Sequence, residues 1–257
     1  MIKLIQTQLR VIDALGIREI NSQQSNLMYG YAWALVDAAL AVLGLLLMKL
    51  ILRGFNTPGL PPATFILSGA LPWFMWNSLY NGTGSAISRN KRLLSLPIFT
   101  ELDFALGTSL QVVTTYGITM VVCLTISSYL EQSAFPHNPL GLFLLLLAIW
   151  IQGISVGFVF MMLDRLYPPA AKFVGFVMRF TLFLCCVYLP ITRFPTYVWP
   201  YIDWMPMLNI EELIRQYWFV DYASPVATPG YVLWTTVGVA AFGLLCERYC
   251  RRRLPLA

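Results

Sequence analysis

The composition of this 257-residue chain is that of a membrane-embedded protein. Hydrophobic residues make up 58% and charged residues 11%, with a mean hydropathy of +0.67. Soluble domains have roughly 45–50% apolar and about 25% charged residues, so a soluble globular class is excluded. The net charge of +5 does not indicate nucleic-acid binding, because the cations follow a membrane topology. We expect one integral domain over residues 1–257.

Residues 1–26 predict a helix that lies along the membrane surface. Ile5, Leu9, Ile12 and Leu15 recur at helical spacing, and charged residues occupy the other faces. We therefore expect a cytoplasmic amphipathic interface helix before the first span.

Six apolar segments predict transmembrane helices. A span needs about 20 predominantly apolar residues. The qualifying segments are 27–52, 64–87, 104–130, 140–163, 170–190 and 231–249. Helices are expected because a spanning backbone must satisfy its own polar groups, and no segment alternates with the period of a barrel strand. The predicted fold class is an all-α integral membrane protein with six spans.

The cations orient these spans. Placing the N-terminus inside leaves most of the 17 Lys and Arg residues in the cytoplasm. This bias predicts a multi-pass protein with both termini cytoplasmic.

Residues 88–97 form a basic loop between the second and third predicted spans. The loop carries three cations, three leucines and a proline: Arg89, Lys91, Arg92, Leu93, Leu94, Leu96 and Pro97. The cations suit any cytoplasmic loop, but exposed leucines favour a short helix that docks on a partner. The proline then ends that helix.

Residues 190–229, before the last span, are too polar and proline-broken to cross the membrane. Their many aromatic residues are typical of a membrane–water boundary. We predict a re-entrant helical region on the outer side. Its clearest helix covers 209–220, with Glu211 and Glu212 in the first turn.

The chain shows no pattern of an enzyme. His137 is its one histidine and lies in a predicted loop without neighbouring acids or cysteines. The five cysteines lack metal-type spacing, and no Gly-rich phosphate loop with a Lys-Ser/Thr pair occurs. These absences favour a passage, a binding surface or a scaffold over catalysis.

Two charged residues fall inside predicted spans. Asp37 lies about two turns into the first span, and Arg179 lies deep in the fifth. An intramembrane arginine costs at least about 2.5 kcal/mol unless it is paired or hydrated. Arg179 therefore either faces a water-filled conduit or pairs with an acid such as Asp37.

Two aromatic rows follow helical spacing. The first row is Trp73, Trp76 and Tyr80, and the second is Phe173, Phe176, Phe180 and Phe183. Such rows can stack on sugar rings, or they can meet lipid and neighbouring helices. Gly153 and Gly157 form a GxxxG pair compatible with close helix packing.

The order of several motifs resembles the permease subunits of type-2 ABC exporters for polysaccharides, closest to the capsular polysaccharide export permeases. The similar stretches are "REI" at 18–20, "YGYAWALVD" at 29–37, "SGALPWFMW" at 68–76, "LLSLPIFTELD" at 93–103 and the region 185–218. The acid at Asp37 and the residues Trp204, Pro206, Glu212 and Arg215 lie within them. Together these stretches extend nearly from end to end of the chain.

The resemblance implies a half-transporter that works as a homodimer with two cytoplasmic ABC ATPase subunits. The chain itself would need no cofactor, because ATP and Mg would bind the ATPase. The cargo would be a lipid-linked acidic polysaccharide moved from cytoplasm to periplasm across a bacterial inner membrane. Periplasmic and outer-membrane export proteins would continue the path.

Roles for individual residues follow from the basic loop, the charges and aromatic rows of the predicted spans, the aromatic outer region and the resemblance together. Residues 88–97 would form the coupling helix for the ATPase. The conduit or substrate-contact candidates are Asp37, Trp73, Trp76, Tyr80, Phe176, Arg179, Phe180 and Phe183. The candidates for a periplasmic gate are Tyr197, Trp199, Trp204, Glu212 and Arg215. The alternatives are an exporter of O-antigen, teichoic acid or another amphiphile, or a non-ABC scaffold or polymer-modifying enzyme.

Overall fold

The computed structural model describes residues 61–89, 101–131, 136–187 and 190–253, and every regular element within these ranges is helical. The long helices are α1 (Pro62–Arg89), α2 (Glu101–Leu130), α3 (Pro139–Leu166) and α4 (Pro168–Leu184). A 3₁₀ turn (Ile191–Arg193), α5 (Trp199–Ile202), α6 (Pro206–Trp218) and α7 (Pro229–Arg253) follow. The predicted interface helix, the first span and most of the loop 88–97 lie outside the described residues.

Three of the described helices are long and apolar enough to cross a membrane: α2, α3 and α7. They coincide with the predicted spans 104–130, 140–163 and 231–249. The predicted spans 64–87 and 170–190 fall on α1 and α4, which are not among these three helices. Helix α1 carries many Asn, Ser, Thr and Gly residues, and α4 has 17 residues. The count of six spans stays a prediction.

Helix α1 packs against α2, α3 and α6. Its contact with α3 depends on two glycines of α3. A Cβ at Gly153 would lie 2.6 Å from the Cβ of Leu79, and one at Gly157 would lie 2.5 Å from the Cβ of Thr83. The GxxxG pair therefore lets the two helices approach more closely than any side chain would permit.

A carboxylate ties the start of α1 to the end of α2. Glu131, directly after α2, accepts hydrogen bonds from the backbone N–H groups of Ala63 (2.7 Å) and Thr64 (2.9 Å). It also accepts one from the Thr64 hydroxyl at 2.8 Å. Negative charge at a helix N-terminus is favourable because the first N–H groups lack partners in the helix.

Helices α3 and α4 meet in a tight turn at the opposite end of α1. Only Tyr167 separates them, and Pro168 begins α4, since proline suits the first helical position. Helix α4 packs along α3.

The region after α4 folds into the short helices and the turn of the range 190–229. Helix α6 begins at Pro206, three residues earlier than predicted, because proline is favoured at that position. The prediction that Glu211 and Glu212 lie in the first turn is therefore wrong, since both fall in the second. Helix α6 is buried against α1, α3 and α7 along most of its length. Its insertion into the membrane as a re-entrant element stays a prediction.

Candidate functional site

A groove separates α1 from α4, and residues of α3 form its floor. Its cavity has a volume of about 850 Å³. The stretch of α1 that lines it, from Trp73 to Ser85, is 13 residues long and extends about 18 Å along the helix axis. The groove brings together Trp73, Tyr80, Phe176 and Arg179, which are four of the conduit candidates.

The α1 wall of the groove presents amides and hydroxyls. The Tyr80 hydroxyl donates to the side-chain oxygen of Asn77 at 2.7 Å, and the Asn81 amide donates to the same oxygen at 3.2 Å. Ser85, one turn further on, donates to the backbone oxygen of Asn81. These bonds hold the polar groups in fixed positions along one face of α1, where they can meet hydroxyl-rich ligands.

The aromatic row of α1 is packed behind this polar wall. Tyr80 is only 1% exposed, and its ring lies 5.0 Å from that of Trp76 and 5.1 Å from that of Phe160. Trp73 is also buried, and its indole N–H donates to the Thr181 hydroxyl at 3.2 Å, which joins α1 to α4. In the described structure these rings stabilise helix packing, and they are not free stacking surfaces for a sugar.

The α4 wall carries two cations with an aromatic ring between them. Lys172, Phe176 and Arg179 all line the groove, and Phe176 is 57% exposed. Phe176 also packs edge-on against Phe180, with ring centroids 5.2 Å apart. Phe180 and Phe183 are exposed on α4 but do not line this cavity, and Trp76 is buried in the core.

Arg179 makes no ion pair among the described residues. It lies 11 residues from the start of α4, or about 16 Å along the axis. An exposed arginine near the middle of a bilayer costs about 2.5–3.5 kcal/mol or more unless it faces water or a counter-charge. Arg179 is exposed and lines the open groove, where a guanidinium can stay hydrated. The alternative partner, Asp37, lies outside the described residues, so the pairing hypothesis stays a prediction.

A second group of charged residues is buried where α6 meets α1 and the end of α4. Arg215 is fully buried and lies 3.1 Å from a Glu212 carboxylate oxygen. Its other terminal nitrogen donates to the Val187 carbonyl at 2.8 Å, and its guanidinium lies 4.1 Å from the ring centroid of Phe65. The Tyr222 hydroxyl donates to the second Glu212 oxygen at 2.6 Å. We call Glu211, Glu212, Arg215 and Tyr222 the buried charge cluster.

Glycine makes room for this cluster. A Cβ at Gly69 would lie 2.6 Å from a terminal nitrogen of Arg215. The guanidinium therefore fits directly against the backbone of α1, and any larger residue at this position would displace it.

Glu211 differs from its neighbour. It is fully buried, and neither carboxylate oxygen has a hydrogen-bond partner within the described chain. Burial raises the pKa of Glu211 well above its usual range, Arg215 opposes that rise, and Glu212 adds to it. Burial and the Glu212 carboxylate also raise the pKa of the Tyr222 phenol, which keeps it a hydrogen-bond donor.

The gate candidates fall into two environments. Tyr197 and Trp204 are exposed, and Trp204 donates from its indole nitrogen to the Tyr201 carbonyl at 2.6 Å. Trp199 is half-buried and donates in the same way to the Phe194 carbonyl. The remaining two, Glu212 and Arg215, belong to the buried charge cluster. A gating role for any of them stays a prediction.

The coupling residues 91–97 lie outside the described residues, and nothing is described of the Arg89 side chain at the end of α1. Sequence reasoning missed Asn77, Asn81, Asp164 and Lys172 in the groove. A usable signal existed for Lys172, since it and Arg179 are seven residues apart and share a helix face. Within the described ranges, no His, Cys, Asp and Glu residues form a group that could hold a metal ion.

No protein-family model matches the chain. Polysialic acid transport protein KpsM of Escherichia coli is 26% identical over 247 residues, covering 95% of this chain and 94% of the relative. Capsule polysaccharide export inner-membrane protein CtrC of Neisseria meningitidis serogroup A is 26% identical over 237 residues, covering 92% and 89%. Capsule polysaccharide export inner-membrane protein BexB of Haemophilus influenzae is 22% identical over 239 residues, covering 92% and 89%.

A helical membrane protein with a polar groove fits the class of transport subunits. The resemblance to capsular polysaccharide export permeases is confirmed, because the chain's curated homologues are inner-membrane proteins of that kind along nearly its whole length. The inner-membrane location is likewise confirmed by these relatives and by the three apolar helices. The orientation of the termini stays a prediction.

Proposed function

We propose that this chain is the transmembrane subunit of an ATP-driven exporter that moves a lipid-linked acidic polysaccharide from cytoplasm to periplasm. The observation that carries the proposal is its end-to-end similarity to capsule polysaccharide export proteins. The groove between α1 and α4 supports it, because a polar passage is what a hydrophilic polymer requires inside a membrane protein. The chain supplies the path, and a separate ABC ATPase binds ATP and Mg.

The coupling step would pass through the loop that joins α1 to α2. Residues 88–97 include the last two residues of α1, and one face of α1 forms a wall of the groove. Closure of the ATPase subunits around ATP would push on this loop and shift α1 relative to α4. The leucines at 93, 94 and 96 suit insertion into a groove on the ATPase.

The working unit would be a homodimer. A second copy supplies the opposite wall that a continuous conduit needs, and closed two-fold symmetry is the commonest arrangement of identical subunits. Two copies of the ATPase would match the two permease subunits. Periplasmic and outer-membrane export proteins would receive the polymer.

The experiment is deletion of the gene in its own host, followed by complementation. Surface polysaccharide should disappear on deletion while lipid-linked polymer accumulates in the cytoplasm, and the wild-type chain should restore export. A mutant that synthesises no polymer would indicate a biosynthetic role, and a mutant with normal surface polysaccharide would contradict the proposal.

The orientation has its own test. Cysteines introduced at Ser88 and Thr196 should react with impermeant thiol reagents from the cytoplasmic and the periplasmic side respectively. Labelling of both from one side would contradict the six-span arrangement.

A further inference from the structure

We infer that Lys172, Phe176 and Arg179 form a binding site for a segment of polymer that carries at least two negatively charged sugar units. The site lies on the α4 wall of the groove, and this inference rests on the proposed export function. It goes beyond a general conduit because it names the charge, the spacing and the ring that the ligand must match.

The two cations are spaced along one face of α4. Lys172 and Arg179 are seven residues apart, nearly two full helical turns, so both project on the same face of α4 about 10 Å apart along its axis. Both line the cavity and both are exposed. Neither forms an ion pair within the described ranges. Two positive charges without an ion-pair partner among the described residues fit a ligand that brings its own negative charges.

An aromatic ring lies between the two cations. Phe176 lies one turn from each of them and turns an exposed face toward the same cavity. An aromatic face accepts the C–H face of a pyranose ring, while the carboxylates on either side reach the two cations. A lipid phosphate alone would use the charges but would leave this ring unused.

The opposite wall of the groove is polar. Asn77, Asn81 and Ser85 offer amide and hydroxyl groups across the cavity from α4. Such groups both donate and accept hydrogen bonds, which suits sugar hydroxyls. Two cations on α4 that face amides and a hydroxyl on α1 therefore fit an acidic sugar better than an acyl chain.

One acid also lines the groove. Asp164 is exposed near the end of α3, close in the chain to the turn that leads to Lys172, and it makes no ion pair in the described part of the chain. Its carboxylate repels an anionic ligand at the same end of the groove where Lys172 attracts it. Removing this charge should therefore strengthen binding.

The test is binding of labelled oligosaccharides to the intact permease–ATPase complex in nanodiscs of zwitterionic lipid. The probes are a short sialic acid oligomer and a neutral glucose oligomer of equal length. We expect the acidic probe to bind in preference to the neutral one and to weaken with added salt. Lys172→Gln with Arg179→Gln should lower affinity at least about tenfold, because charge-assisted hydrogen bonds are lost.

Three further variants separate this site from general damage. Lys172→Arg with Arg179→Lys keeps both charges and should retain binding. Asp164→Asn should raise affinity severalfold, and Phe176→Leu should lower it severalfold without changing the salt dependence. If the Gln double variant fails to assemble, the affinities of Asp164→Asn and Phe176→Leu still test the site, and unchanged affinity in both would contradict it.

Equal binding of both probes, or undiminished binding by the assembled Gln double variant, would overturn the site. Displacement of the acidic probe by phosphatidylglycerol vesicles as readily as by unlabelled oligomer would assign the cations to lipid phosphate and overturn it too. If the wild-type complex restores export in cells but binds no acidic oligomer, the binding site is contradicted and the proposed function is not. A wild-type chain that neither associates with an ATPase nor restores export in cells would instead contradict the proposed function.

Discussion

Replacing Arg215 with methionine should destabilise the protein more than any exposed arginine substitution would. Arg215 is fully buried and holds together Glu212, the Val187 carbonyl and the Phe65 ring. Removing one partner of a buried ion pair costs about 3–5 kcal/mol, because the other charge is left uncompensated. The hydrogen bond from Tyr222 to Glu212 remains and does not neutralise the carboxylate. We therefore expect the free energy of unfolding to fall by about 3–5 kcal/mol near pH 7.

The assay is equilibrium unfolding of the detergent-solubilised protein in rising fractions of dodecyl sulfate, followed by tryptophan fluorescence. Arg248→Met, at an exposed position on α7, is the matched control and should change stability by no more than about 0.5 kcal/mol. Adding Glu212→Gln to Arg215→Met should recover part of the loss, since the uncompensated charge is then gone.

The reasoning is refuted if Arg215→Met costs less than about 1 kcal/mol, well below the range for a broken buried pair. It is also refuted if the losses of the two single variants simply add, because residues in one ion pair should show a coupling energy of about 0.5–3 kcal/mol.

Three other changes probe the remaining features. The raised pKa of Glu211 means that this group takes up a proton on folding. Its contribution to the free energy of unfolding should therefore fall as pH rises above about 4.3, by up to about 1.4 kcal/mol per unit. Glu211→Gln should remove that contribution, and parallel pH profiles of the wild type and the variant would contradict it. Leu93→Asp with Leu94→Asp should abolish ATPase co-purification while the permease still inserts, and normal assembly would reduce the loop to a spacer. Gly157→Ala should cost about 1–3 kcal/mol because its Cβ meets Thr83, whereas Gly238→Ala, which meets open space, should not destabilise; equal effects would refute the close α1–α3 packing.

The apolar spans were the predictable part of the fold. Helices α2, α3 and α7 are long and predominantly apolar, and hydropathy alone places them. Helix α1 is as long as α3, but its Asn, Ser, Thr and Gly residues serve the groove and the helix contacts, which lowers its hydropathy. Polar residues that line the groove therefore weaken the hydropathy signal by which a span is recognised in the sequence.

Only those features of the site that depend on spacing within a single helix were predictable from the sequence. The spacing of Phe176 and Arg179 on one helix was readable from the sequence. The burial of Tyr80 was not, because it depends on Phe160 of another helix. The burial of Glu212 and Arg215 was also unpredictable, since charged residues in a polar segment are typical of an exposed surface.

Transport by the reconstituted complex tests the central claim most directly. The permease and its ATPase would be reconstituted into vesicles with the ATPase facing outward, and lipid-linked acidic polysaccharide would be presented on the same side. The account predicts that ATP and Mg make the polymer inaccessible to added glycosidase, and that vesicles with Lys172→Gln and Arg179→Gln protect much less. Polymer that stays fully digestible with ATP present, or that is protected equally without it, would contradict the account.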